Sequence, residues 1–235
     1  MTCCLPFKEK GILKTLVENL FQKLKEAMDE IEQNLYKNSI DPFSALIYCY
    51  YQKIPYDQWI LQEKTRQIQK SLQNHIGKFH ENVIGSFKGW ESMKSDGIID
   101  VKNSKQKIIA EIKNKFNTTK GNHKVKIYDD FLTLLGNDYK DYKAYLVEII
   151  PKNGKRYCNT FRPPDNVMRK RRDENKKIMV IDGWTFYDLA TNNKDALLNL
   201  YNSILDIAQE LNEEYPIEYQ LALRGVFDKT YYEKT

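Results

Sequence analysis

Along this chain of 235 residues the spacing of apolar side chains changes period once, near Gly89-Trp90, from a helical to a β-type repeat. Before that point Leu13, Leu16, Leu20, Leu24, Met28, Ile31 and Leu35 recur at three- and four-residue steps, which predicts one long amphipathic helix ending near Asn38-Ser39. Asp41-Pro42 supplies an N-cap followed by a proline at the first helical position, opening a short and almost wholly apolar helix through Tyr51. Pro55-Tyr56-Asp57 breaks it, and Leu61, Thr65, Ile68, Leu72, Ile76, Phe79 and Val83 carry helical spacing on to Gly85.

Beyond Gly89 the apolar runs are short and rich in β-branched residues. Gly97 to Lys102 and Lys107 to Lys113, joined by the polar stretch Asn103 to Gln106, form a hairpin signature. A polar loop from Asn114 to Asn122 leads into a helix carrying Val125, Tyr128, Phe131, Leu132 and Leu135. Ala144 to Ile150 and Lys177 to Asp182 are two further strands, and helices follow from Asp195 to about Leu211 and from Glu218 onward. This order predicts an α/β fold in one continuous domain: a helical part over residues 1–85 packed on a core over residues 86–235.

With 41% apolar and 12% aromatic residues, the chain has material for a packed core, and disordered, collagen-like and disulfide-scaffold classes are excluded. No apolar run reaches a membrane span, the first ten residues do not read as a signal peptide, and a soluble cytosolic protein with reduced cysteines is expected. Cys3, Cys4, Cys49 and Cys158 lack the paired spacing of a zinc site. The net charge of +5 is unevenly spread. Eight lysines against Glu111 give +7 between Val101 and Lys126, and ten Lys or Arg against three acids give +7 between Lys152 and Lys177. Two concentrated cationic stretches on a nearly balanced chain suit a phosphate-bearing partner, with a solvated lysine-rich face as the alternative.

The hairpin holds the most informative chemistry. A turn at Ser104-Lys105 would set Asp100 opposite Ile109, with Glu111 one same-face step beyond that pair. Strand alternation puts Ile108, Ala110 and Ile112 on one face, and Ile109, Glu111 and Lys113 on the other with Asp100; Asp96 shares that face by parity. Two carboxylates held about 7 to 8 Å apart at their backbones can converge on one oxygen-seeking cation. A lysine two residues on brings an ammonium to the same place, where it can orient or deprotonate an attacking water and stabilise charge on a phosphoryl oxygen. The alternative is a hairpin with one wet face and an ordinary surface pair, as in a non-catalytic DNA-binding regulator.

Asp100 followed by Glu111-Ile112-Lys113 resembles the signature of the PD-(D/E)XK nucleases. Its continuation through Asn114-Lys-Phe-Asn-Thr-Thr119 resembles a subgroup of type II restriction endonucleases that cut short interrupted G/C palindromes such as GGNCC. Ile76-Gly-Lys-Phe-His80-Glu81, Gly89-Trp90, and Phe186-Tyr-Asp-Leu-Ala-Thr191 with Ala196-Leu197 agree with that subgroup, so the resemblance runs roughly from Ile76 to Tyr201. Ile99 stands where the superfamily name has proline, and Asn192 follows Thr191 where glycine is expected.

The resemblance implies a PD-(D/E)XK-type mixed sheet flanked by helices, with a helical N-terminal part. It implies Mg2+-dependent, sequence-specific hydrolysis of double-stranded DNA leaving 5'-phosphates, in a bacterial cytoplasm, with a DNA methyltransferase as genetic partner. A junction resolvase or repair nuclease of the same superfamily is the neighbouring reading. Asp100 and Glu111 would bind Mg2+ with the Ile112 carbonyl as third ligand, and Lys113 would be the catalytic lysine. Glu81 is the best placed extra acid from a preceding helix, against an ordinary exposed helix glutamate; His80 reads as a core or surface histidine.

Asn114, Lys115, Asn117, Thr118, Thr119 and Lys120 leave the same strand as Glu111, so their partners lie close to any phosphate held there. Such side chains suit base edges or backbone phosphates, while capping of the next helix is the competing role. Arg156 and Arg162 flank Tyr157 and Phe161, an interleaving compatible with base contacts. The four adjacent cations Arg169 to Arg172 cannot all face one groove. A two-fold palindrome matches a homodimer with one site per strand, and the N-terminal helices are a possible interface, although packing within one subunit explains their stripes equally well.

Overall fold

The computed structural model describes residues 5–93 and 97–232, so Asp96, Cys3 and Cys4 lie outside the described residues. The chain forms two compact units, one from residues 18–78 and the other from residues 1–17 and 79–235. Helices α1 (Ile12–Asp29), α2 (Ile31–Asn34), α3 (Pro42–Gln52) and α4 (Tyr56–Gly85) come first, with α1 and α4 each contributing to both units.

The single long first helix expected from its stripe is interrupted at Glu30, the residue between α1 and α2, with φ −90° and ψ −4°. Leu35 is still buried, as its place in the stripe requires. Its carbonyl accepts from Gln67 Nε2 at 3.3 Å, and Gln67 Oε1 accepts from Asn38 at 2.9 Å. A buried side chain thus takes the place of the next helical amide, and the helix stops. Asp41 caps α3 as its sequence indicates, accepting from the amides of Phe43 and Ser44 with Pro42 at the first turn.

The second unit is built on a six-stranded mixed sheet. In chain order its elements are β1 (Trp90–Ser92), β2 (Val101–Asn103), β3 (Ile108–Lys115), α5 (Gly121–Gly136), β4 (Lys143–Ile150), a 3-10 turn at Lys152–Gly154, and β5 (Cys158–Thr160). A small hairpin of β6 (Pro164–Asp165) and β7 (Lys170–Arg171) follows, then β8 (Ile178–Asp182), α6 (Gly183–Thr191), α7 (Ala196–Leu211) and α8 (Ile217–Tyr231). The strand order is β1-β2-β3-β4-β8-β5. β3, β4 and β8 run parallel, while β2 pairs β3, and β5 pairs β8, in antiparallel fashion. This is the α/β core flanked by helices that the resemblance implies.

Each sheet face is covered by a different helix. Ile127, Tyr128, Phe131 and Leu135 of α5 pack on Ile109, Ala144, Leu146 and Ile178. On the opposite face Phe186 of α6 meets Trp90 and Tyr145 with ring centroids 5.5 and 6.0 Å apart, and the Trp90 indole donates to the Ala190 carbonyl at 3.0 Å. Helix α6 was not visible in the spacing because it is buried nearly all round, including Gly183, Trp184, Phe186, Tyr187, Ala190 and Thr191. Without a polar face there is no 3.6-residue alternation to detect. Its end resolves the departure at Asn192, which adopts the left-handed cap conformation at φ 55°. Asparagine is the residue after glycine that enters that region most readily.

Gly183 opens α6 against β4 with no room for a side chain: a Cβ there would lie 2.5 Å from the Ile149 carbonyl oxygen and 2.6 Å from its Cα. Backbone cannot yield as a flexible side chain can. Gly183→Ala is therefore expected to destabilise the fold by about 1 to 3 kcal/mol, read as a lower urea midpoint at unchanged slope; an unchanged midpoint would show that the close approach is not built into the fold.

Candidate active site

The hairpin that carries Asp100 and Glu111 pairs Val101 with Ala110, Lys102 with Ile109 and Asn103 with Ile108. The register differs by two residues from the one expected from a Ser104-Lys105 turn. The loop holds four residues, Ser104 to Lys107; Asn103 Oδ1 accepts from the Gln106 amide at 2.9 Å, and Lys107 takes a left-handed φ of 55°. The correction brings the acids closer. Instead of lying opposite Ile109 and diagonal to Glu111, Asp100 directs its amide to the Ala110 carbonyl at 2.9 Å, and its Oδ2 accepts from the Ile112 amide at 2.7 Å. Asp100 is thereby clamped beside Glu111, and Lys113 Nζ bonds Glu111 Oε1 in turn. All three expected side chains come together.

Their environment is not that of a wet surface pair, because the Glu111 and Lys113 side chains are only 13% and 25% exposed. Burial first, and the neighbouring Asp100 charge second, push the Glu111 carboxyl up to about 7 against the pull of Lys113. The position has too much negative charge and too little water for two free carboxylates. Hard oxygen donors in such a cluster suit a divalent cation. Among the described residues no three His, Cys, Asp or Glu side chains gather as a metal-binding group. Glu81, on the last turns of α4, is accordingly not brought into a triad with Asp100 and Glu111. The backbone of Ile112 contributes its amide to hold Asp100.

The sheet face explains where this chemistry sits. Ile109, Ala144, Leu146 and Ile178 line its apolar part under α5. Two to four residues further along the same side, β3, β4 and β8 carry Glu111 and Lys113, then Glu148, then Asp182, with Lys113 paired to Glu148 and Glu148 to Asp182. The face turns polar at the carboxyl ends of the parallel strands, the usual place for a ligand in an open α/β sheet. Glu148 is buried and satisfied by Lys124 Nζ at 2.7 Å and by the Tyr157 hydroxyl, which donates to its other oxygen. Burial and the Glu148 charge drive the Tyr157 hydroxyl upward, so it keeps its proton. Asp182 accepts from the amides of Thr185 and Tyr157, capping α6.

Next to Glu148 opens a cleft of about 730 Å³ whose walls include Lys124, Lys152, Lys155, Arg162 and Arg171. Of these residues Glu148 and Lys124 carry no role in the sequence reading, whereas Tyr157 and Arg171 belong to the aromatic and cationic stretches named there. The signal for Glu148 was available, since it is the one acid inside the apolar run Tyr145 to Ile150.

The expected DNA contacts divide into groups. Asn114 and Lys115 end β3, and Lys120 is the N-cap position of α5 but makes no side-chain cap. Thr118 Oγ1 donates to the Lys115 carbonyl at 2.8 Å, and Thr119 is buried. Thr118 thus tightens its own turn, and the side chain of Lys120 at the N-cap of α5 makes no cap. Arg156 stacks on Trp184 at 4.3 Å and pairs with Asp188 and Asp195 at 3.3 and 3.7 Å, so it is held within the fold. Arg162 lines the cleft. The run after Met168 divides as its density requires, with Arg172 turned inward onto Asp129 and Asp165 and Arg171 lining the cleft. His80 has the structural role read for it: Nδ1 meets the Tyr187 hydroxyl at 2.8 Å, and burial lowers its pKa to about 4.

Comparison with known proteins bears on what such a site is for. The sequence profile of the Eco47II restriction endonuclease family matches residues 5–212. Type II restriction enzyme Eco47II of Escherichia coli is 37% identical over 195 residues, spanning 80% of this chain and 80% of its own. Type II restriction enzyme Sau96I of Staphylococcus aureus is 29% identical over 191 residues, 79% of this chain and 73% of its own. No solved structure matches the chain. The profile reaches across the N-terminal helices as well as the sheet with its acidic hairpin, and the chain belongs to the Eco47II restriction endonuclease family.

Proposed function

We propose that this chain is a Mg2+-dependent type II restriction endonuclease that cuts both strands of duplex DNA at a short interrupted palindrome of the GGNCC kind, leaving 5'-phosphates. It acts as a homodimer in the bacterial cytoplasm, beside a DNA methyltransferase that protects the host sequence. Sequence-specific DNA cleavage follows from the family, and among the described residues no helix is long and apolar enough to cross a membrane. The observation that supports this choice of site is the buried junction of Asp100, Glu111 and Lys113 at the polar end of the sheet face.

Asp100 and Glu111 would hold the cation, with the Ile112 carbonyl beside them. A bound divalent ion supplies Lewis acidity toward a phosphoryl oxygen and lowers the pKa of water. The chain's own groups do the rest. The Ile112 amide fixes the Asp100 carboxylate, which cannot rotate away without leaving a buried donor unpaired. Lys113, held beside Glu111, would hold the attacking water and place a positive charge against the phosphate as negative charge builds there. The cationic cleft supplies phosphate contacts next to this point, and Asn114, Lys115, Asn117 and Lys120 leave β3 within reach of the same DNA segment.

Lys113→Ala is expected to lower cleavage of a plasmid carrying the site by at least about a hundredfold while retaining DNA binding in a gel-shift assay; undiminished cleavage would remove Lys113 from the chemistry. Arg171→Ala should weaken binding of cognate and unrelated duplex alike and reduce the slope of log affinity against log salt by about one. A slope equal to that of the wild type would show that the cleft does not carry phosphate.

A third expectation follows from Glu111, raised from 4.5 to about 7 in the fold. The folded chain binds this proton more tightly than the unfolded chain does, so its stabilising contribution is fully present below pH 4.5 and is lost as pH rises through 7. In chelator, the melting temperature of the wild type should fall across that window more steeply than that of Glu111→Gln. Mg2+ should raise melting above pH 7 in the wild type and not in the variant. Equal melting with and without the ion in both proteins would count against a metal at this position.

A further inference from the structure

Helix α3 is the feature that the nuclease chemistry leaves unexplained. Its eleven residues, Pro42 to Gln52, include no charged side chain and none that is buried. Its amphipathicity is inverted. Ala45 and Cys49, small and one turn apart, are the partly covered positions, whereas Phe43, Ile47, Tyr50 and Tyr51 are 77%, 67%, 79% and 81% exposed. On a helix of 3.6 residues per turn those four fall within about 100° of one another, so they form one outward face. Asp41 and Pro42 fix the start of this helix and Lys53 ends it in a left-handed cap, so the face is presented on a rigid element.

An apolar surface of this size needs a partner. We propose that α3 is the dimer contact and that its occupant is α3 of a second copy of this chain. The proposal rests on the endonuclease reading, in which one chain offers one Asp100, Glu111 and Lys113 cluster while a duplex has two strands to cut. The available area supports it: Phe43, Ile47, Tyr50 and Tyr51 expose roughly 600 Å² of side chain, counting about 200 Å² for each large residue. That is the lower end of what each partner contributes to a standard stable interface, about 600 to 1,000 Å². The shape supports it as well. Between the side chains of this face lies a shallow, open hollow of about 490 Å³ lined by Asp41, Phe43, Ser44, Ile47, Tyr48 and Tyr51. A two-fold contact places one patch on its own copy, so that patch must carry both a projection and a recess; α3 carries both.

Other occupants fit less well. DNA would require cations, and Pro42 to Gln52 has none. A bilayer core would require about twenty apolar residues, and an interfacial helix Lys or Arg along its polar face, of which Pro42 to Gln52 has none.

The test is sedimentation equilibrium of the full chain over a range of micromolar concentrations, with Ile47→Asp, Tyr51→Asp and the conservative Tyr51→Phe. The wild type and Tyr51→Phe should dimerise, and each aspartate variant should associate at least about thirtyfold more weakly, as loss of a central interface residue does. Far-UV circular dichroism of the aspartate variants should match the wild type, since these side chains are exposed in the single chain. A wild type that stays monomeric throughout, aspartate variants that dimerise normally, or a monomer that instead co-sediments with phosphatidylglycerol vesicles would each overturn the proposal. Lys113→Ala should dimerise like the wild type. A failure of the nuclease reading therefore shows in cleavage alone, and a failure of the α3 contact shows in sedimentation.

Discussion

The hydrogen bond from the Ile112 amide to Asp100 Oδ2 joins the two strands that carry the site. The paired register of β2 and β3 ends at Val101, and Asp100 carries the contact on with its amide, bonded to the Ala110 carbonyl, and with its side chain, which accepts from the Ile112 amide. One carboxylate thus serves twice, as the last rung of the hairpin and as the nearest negative charge to Glu111. Because the donor is a backbone amide one residue beyond Glu111, the distance between the acids is set by the strand and not by rotamers. Burial then converts that distance into an electrostatic demand: even with Lys113 beside it, the Glu111 carboxyl is held well above its usual range by burial and by the Asp100 charge. Lys113 supplies a positive charge there, and its Nζ engages the carboxylate that a cation would otherwise neutralise.

Much of this could be read from the sequence, and the parts that could not have identifiable reasons. Strand alternation puts Glu111 and Lys113 on one side regardless of register, so the shared face could be derived from parity alone. The register could not, because it depends on a four-residue loop whose left-handed position is Lys107, not glycine or asparagine. Residue type gave no sign that the chain turns there, and the estimated separation of the acids was too large. Helix α6 escaped for the opposite reason: burial on all sides erased its periodicity, although Asp182 three residues before Thr185 was a legible cap. Strands β5, β6 and β7, two or three residues each, are too short to carry any pattern. The identity of the family rested on the string from Glu111 to Thr119, where local chemistry and strand geometry coincide.

The cationic stretches illustrate the limit of counting charge. Both carry +7, yet the second distributes its cations among three tasks. Arg172 neutralises the partly buried pair Asp129 and Asp165, Arg156 stacks on Trp184, and Arg162 and Arg171 line the cleft. In the first stretch Lys124 compensates Glu148 and Lys113 compensates Glu111. The field over the cleft is therefore weaker than the sequence total implies, because part of the positive charge balances the acids on the sheet face.

That balance also explains why a row of acids can face a polyanion. Glu111, Glu148 and Asp182 occupy neighbouring strands on one face, and DNA brought against them bare would be repelled. Each acid is met by a particular donor: Lys113 for Glu111, Lys124 and the Tyr157 hydroxyl for Glu148, and the amides of Tyr157 and Thr185 for Asp182. Glu148 and Asp182 are satisfied by groups within the fold and need nothing from outside. Only around Glu111, where Asp100 adds a second carboxylate to one lysine, does negative charge exceed the local cations. The sheet face thus concentrates its unmet need for a cation beside Glu111, the point proposed above for the scissile phosphate.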